Sequence, residues 1–155
     1  MGNILTVAWE LGDIFGHPFP IRFVIKDIFK IQLIEWNFPD GISGIYLKVD
    51  GIPHVGINVM DDHRYPKRTN FTMAHELCHH LFHQNTSHLC KTSRFTNKKT
   101  TLEYQADLFA AELLMPEAKL KSYIKDLNFL ELCDKFRVSR KAMRVRLSYL
   151  NLAAN

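Results

Sequence analysis

Five side chains stand at spacings that hydrolytic chemistry requires. His75 and His79 are four positions apart, so on a helix both imidazoles project from one face, one turn apart. Two nitrogens so placed can approach one Zn2+ at about 2.0–2.1 Å. Glu76 lies about 100° round such a helix from His75, near a metal but not needed as a ligand. Its carboxylate can take the proton of an attacking water, the general-base role in metal-assisted hydrolysis. A hydrolytic zinc site keeps three protein ligands and one open position, so a third ligand should follow. Glu103 and Asp107, again four apart, supply one downstream. Glu103 can bind the metal, while Asp107, one turn on, can accept the far N–H of a ligand imidazole and fix its tautomer. A helix with two surface histidines, or with two surface acids, is the plainer alternative. It fits Glu103 and Asp107 poorly, because the segment Ala106 to Met115 is apolar on nearly all sides. Carboxylates in such a segment need a partner, and a divalent cation is a good one.

The elements that would position these residues can be read from pattern. An amphipathic helix is expected over 3–15, interrupted by His17-Pro18-Phe19-Pro20, then a short helix near 21–29 and a strand near 30–36. Asp50-Gly51 between Gly44–Val49 and Ile52–Val59 is a hairpin signal. Pro53 lacks an N–H and so suits the start of the second strand, or an edge strand. An edge strand there would border the cleft and could add an extended substrate segment beside it. Residues 61–68 read as a polar turn, and the His75 helix as starting at Asn70 or Thr72 and running to about Gln84. A polar connection over 85–100 precedes a helix over about 101–115, stopped by Pro116. Three more helices are expected at about 117–125, 128–136 and 139–149. With no repeat or linker, residues 1–155 read as one domain with a single core.

Arg68-Thr69-Asn70-Phe71-Thr72-Met73-Ala74-His75-Glu76-Leu77-Cys78-His79 resembles the signature of the ImmA/IrrE family of bacterial and phage metallopeptidases. Glu103-Tyr104-Gln105-Ala106-Asp107 through Met115-Pro116 resembles its second motif, and Phe136-Arg137-Val138-Ser139 through Leu147 its helical tail. The three motifs occur in family order over residues 68–147, which is far more specific than HExxH. The resemblance implies a gluzincin-like α+β fold: a small antiparallel sheet, an HExxH active-site helix and a helical C-terminal half. It implies a zinc endopeptidase with ligands His75, His79 and Glu103 and base Glu76, cutting a helix-turn-helix transcriptional repressor to relieve repression of a mobile element or stress genes. Cys78 stands where the family usually has Gly, and no appended sensor or DNA-binding domain is recognised.

Other features carry less. His83 continues the i, i+4 series and could reach the cleft as a substrate or oxyanion contact, although a solvated helix end is the more ordinary role. Tyr65, Tyr104 and the 85–100 connection are further candidates for the oxyanion. Cys78 is read as packing, and three cysteines without framework spacing suit a reducing compartment. The N-terminus lacks the basic start of a signal peptide and no apolar run reaches a membrane span, so a cytoplasmic protein is expected. Residues 117–155 carry nine Lys/Arg against four Asp/Glu, which reads first as a solvated basic face. Two rival functions stay open: a metal-stabilised module that captures the repressor without cutting it, and DNA binding through the basic C-terminal helices. In the second, Leu130, Cys133, Phe136, Val138, Ala142, Val145 and Leu150 would otherwise form a seam closing the core.

Overall fold

A computed structural model describes residues 2–83, 88–91 and 100–154. Helix α1 (Gly2–Phe15) turns Ile4, Val7, Ala8 and Leu11 to the core and ends at the Pro18/Pro20 segment. Helix α2 (Ile21–Phe23) continues into a π-helical turn, Val24–Ile28, burying Ile21, Val24 and Ile25. Strands β1 (Gln32–Trp36), β2 (Ile42–Val49), β3 (Ile52–Asn58) and β4 (His88–Lys91) form one sheet in the order β1-β3-β2-β4. Residues 85–87 and 92–99 of the expected connection lie outside the described residues.

The hairpin forms as expected, with β2 and β3 antiparallel from Val49 opposite Ile52 to Gly44 opposite Ile57. Asp50 and Gly51 both take positive φ, 50° and 78°, the mirror-image turn that matches the right-handed twist of the strands. The sheet as a whole is mixed rather than antiparallel, because β1 runs parallel to β3. The chain leaves β1, passes the place of β3 to lay down β2, then returns between them; two reversals leave β3 pointing as β1 does. Strand β3 is therefore interior, with Val55 and Ile57 fully buried, and the expectation of an edge open to substrate fails. Of the two places expected for Pro53, the strand's start is the one it takes: it opposes Lys48 of β2, while pairing with β1 begins only at His54.

Residues 61–64 and 66–68 are helical where a turn was expected, with Tyr65 as the break between two helices. Helix α3 (Val59–Arg64) is capped by Asn58, whose Oδ1 accepts the Met60 N–H at 3.1 Å. Helix α4 (Pro66–Phe82) starts a turn earlier than expected, since Pro66 at its first position has the right φ and no N–H to leave unsatisfied. Asn70 and Thr72 are thus interior positions; Asn70 Nδ2 donates to the Arg137 carbonyl at 3.2 Å. Helix α4 packs against β2, β3 and helix α5 (Thr101–Leu114), so its middle is buried on every side. Helix α5 in turn lies against α1.

The chain closes with α6 (Glu117–Tyr123), α7 (Phe129–Lys135) and α8 (Arg140–Tyr149). Leu120, Leu132, Cys133, Phe136, Val138, Met143 and Leu147 are buried there. Of the seam expected from sequence, Cys133, Phe136 and Val138 are buried and Ala142 and Leu150 pack against the core, while Leu130 and Val145 are 48% and 63% exposed and Arg146 is buried. Its guanidinium is tolerated because Nε donates to the Met115 carbonyl at 3.0 Å and Nη2 pairs with Glu112. Among the described residues no helix is long and apolar enough to cross a membrane.

Candidate metal centre

The burial of α4 puts His75, Glu76 and His79 at 3%, 0% and 0% exposure, so their polar atoms must find partners inside the protein. His75 Nε2 and His79 Nε2 face each other at 3.1 Å. Glu103 enters from the first turn of α5, held there by the Thr100 cap, whose Oγ1 accepts the Glu103 N–H at 3.3 Å. Its carboxylate lies 3.1 Å from His75 Nε2 and 3.4 Å from His79 Nε2. All the donor atoms fall within 4.8 Å of one another. A tetrahedral ion about 2.1 Å from each donor would set the donors about 3.4 Å apart. Two imidazoles and one carboxylate so close thus fit a metal such as zinc in both spacing and donor type.

The electrostatics point the same way. Glu103 is held well below the usual carboxylate range by hydrogen bonds from His75 and His79, which outweigh its partial burial. Burial favours neutral His75, yet hydrogen bonds to Asp107 and Glu103, with the charge of Glu76, push it up to about 10. Three acids around two histidines therefore make a place that holds positive charge. Asp107 occupies the position expected of it: its Oδ1 lies 3.0 Å from His75 Nδ1, on the far side from the donor cluster.

Glu76 points from α4 toward β2. A Cβ on Gly44 would lie 3.1 Å from Glu76 Oε1 and 2.4 Å from Thr72 Cγ2, so the absence of a side chain at Gly44 sets how closely α4 lies on the sheet. Nothing in the local pattern of β2 marked that glycine, because the close approach exists only once the helix lies across the strand.

His83 takes a different part from either expected one. It is buried at the end of α4, with Nδ1 2.9 Å from His79 Nδ1 and Nε2 3.1 Å from Gln105 Oε1. Its ring is thus engaged behind His79 rather than with solvent or a substrate. Gln105 carried no signal by itself; the need of each ligand imidazole for a second partner was the available clue. Cys78 is fully buried, and burial together with the charges of Glu103 and Glu76 pushes its thiol up to about 12, so it packs as a neutral group. His80 meets the Tyr46 hydroxyl at 3.3 Å in the core, and His54 bonds its own strand.

A cleft of about 940 Å³ lies between α4, α5 and α8; Asp107 lines it, but His75, Glu76, His79 and Glu103 do not. Leu108, Ala111 and Val145 make its wall apolar, Tyr65 and Tyr104 stand half-exposed on it, and Arg64 and Lys141 are among the cations at its border. A peptidase family model, described as the IrrE N-terminal-like domain, matches residues 28–148. No curated protein matches the chain.

Proposed function

Because this chain belongs to the ImmA/IrrE family of metallopeptidases, we propose that it is a zinc-dependent endopeptidase that cleaves a helix-turn-helix transcriptional repressor. The observation that carries the metal-dependent part is the convergence of His75, His79 and Glu103, with donors 3.1–3.4 Å apart, beside the buried carboxylate of Glu76. His75, His79 and Glu103 would hold the ion, and Asp107 would orient His75. A bound zinc ion supplies Lewis-acid polarisation of the scissile carbonyl and acidifies the attacking water. Glu76 takes the water's proton and delivers it to the leaving amine. Its burial holds the carboxylate inside the protein rather than in bulk water. The repressor as substrate rests on the family alone.

Elemental analysis and co-expression with a helix-turn-helix repressor test the proposal together. Wild type should contain one zinc per chain and cut the repressor. Glu76→Gln should keep the zinc and the fold while cleavage falls by at least about 100-fold, since the amide cannot accept the proton. A folded wild type that takes up no zinc would overturn the proposal, as would undiminished cleavage by Glu76→Gln. Tight capture of an uncut repressor by wild type would favour the non-proteolytic module instead.

A further inference from the structure

The far side of His79 carries a device of its own, and the geometry points to His83 and Gln105 as a neutral relay that fixes the tautomer and ring plane of His79 and so sets how tightly the metal is held. The inference rests on the metal-centre reading above and assigns two positioning residues to it.

His79 presents Nε2 to His75 and Glu103, while its Nδ1 faces His83 Nδ1 at 2.9 Å. Two imidazole nitrogens at that distance need one proton between them, so one is N–H and the other is bare. A ligand Nε2 has no proton; the proton of neutral His79 then sits on Nδ1 and is donated to His83. His83 Nδ1 is therefore the bare acceptor, and its own proton sits on Nε2. That N–H needs an acceptor, and Gln105 Oε1 stands 3.1 Å away. Each hydrogen bond fixes the direction of the next, and the amide oxygen ends the chain without charge.

Sequence and packing hold the relay in place. His83 terminates α4 with its N–H on the His79 carbonyl at 2.9 Å, so main chain and side chain tie the same two residues. Gln105 rides on α5, two positions after Glu103, so the helix that brings the carboxylate ligand also brings the relay's end. The two ligand histidines are thus supported differently. His75 donates to the carboxylate of Asp107, whereas His79 donates through neutral His83 to a neutral amide. A carboxylate strengthens a ligand's basicity; a neutral partner orients it without adding a further negative charge to a site that already holds three acids.

The test compares the whole chain as wild type, His83→Phe, His83→Asn and Gln105→Met. Zinc affinity is read by chelator competition and coordination by the visible absorption of the Co2+ form. His83→Phe keeps a ring but offers no acceptor, and should weaken zinc about 10–100-fold and alter the Co2+ spectrum. His83→Asn, whose Oδ1 takes the place of Nδ1, should recover most of that loss. Gln105→Met should weaken zinc by a smaller factor. Wild-type affinity and spectrum in His83→Phe would overturn the relay, as would a His83→Asn no better than His83→Phe. Should His83→Phe not fold, unchanged affinity in Gln105→Met would overturn it instead. A wild type that binds no metal removes the metal centre and the relay together, which is distinct from a zinc-binding wild type indifferent to these changes.

Discussion

Asp107 and Glu103 sit one turn apart on α5 and touch the same imidazole on opposite sides. Glu103 faces the donor cluster, and Asp107 faces the other nitrogen, so their loss should have different consequences. Glu103→Ala removes a ligand and should abolish tight zinc binding. Asp107→Ala leaves three ligands and frees the His75 tautomer, and should weaken zinc about 10–100-fold. Chelator competition on the two variants checks this; the reverse order would exchange their roles. The low Glu103 and high His75 pKa values describe one shared proton balance, in which a proton on His75 compensates the acids where a cation would otherwise do so.

Among the elements, α4 and the β2–β3 hairpin set the site together. Helix α4 reaches the sheet only because residue 44 has no side chain, so Gly44→Ala should push Thr72 and Glu76 away from β2. A cost of about 1–3 kcal/mol in unfolding free energy is expected for this overpacking, with cleavage reduced as Glu76 shifts. Thr72→Ser deletes the Cγ2 that the new methyl would strike, and should restore part of the stability in the double variant. Thermal and denaturant melts of the three proteins decide the matter. Strand β3 makes a different demand. It is flanked on both sides at Val55, by Leu33 of β1 and Tyr46 of β2, so the Val55 N–H faces a ladder on either side. Val55→Pro should therefore break a ladder bond and prevent folding, visible in circular dichroism, rather than selectively slow turnover.

For the whole molecule, the N-terminal helix and the C-terminal helices meet at His17. Its Nε2 donates to the Leu113 carbonyl at the end of α5 at 2.9 Å, and its ring lies edge-on to Phe136. Burial, assisted by the charge of Lys119, lowers its pKa below 6.5 despite that hydrogen bond. The unfolded chain therefore binds this proton more readily than the folded one. The stability His17 contributes is fully present above about pH 6.5 and is lost as pH falls through the lower folded value. His17→Gln keeps a donor for Leu113 without the titration, so its melts at pH 8 and pH 5.5 should differ less than those of wild type. Equal pH dependence in both would show that His17 is protonated as easily folded as unfolded. Burial lowers His80 in the same direction, so the variant should flatten the dependence without removing it.

The chemistry was legible before the fold because it is local. His75, Glu76 and His79 share one helix, and Glu103 and Asp107 share another, so helix periodicity alone sets which residues face together within each set. The Asp50-Gly51 turn and the Pro116 stop are local for the same reason, and they appear where sequence places them. What required tertiary structure was every relation between segments far apart in the chain. The order of strands in the sheet depends on which faces are buried, and it turned β3 from an edge into a centre despite Pro53. Arg146 reads as a surface cation until Glu112 and the Met115 carbonyl are brought to it, and Val145 as a core residue until α8 is rotated. His83 has no role in isolation. It acquires one only when α4 and α5 pack and Gln105 arrives behind it, because a hydrogen bond extends about 3 Å and chain separation says nothing about that distance.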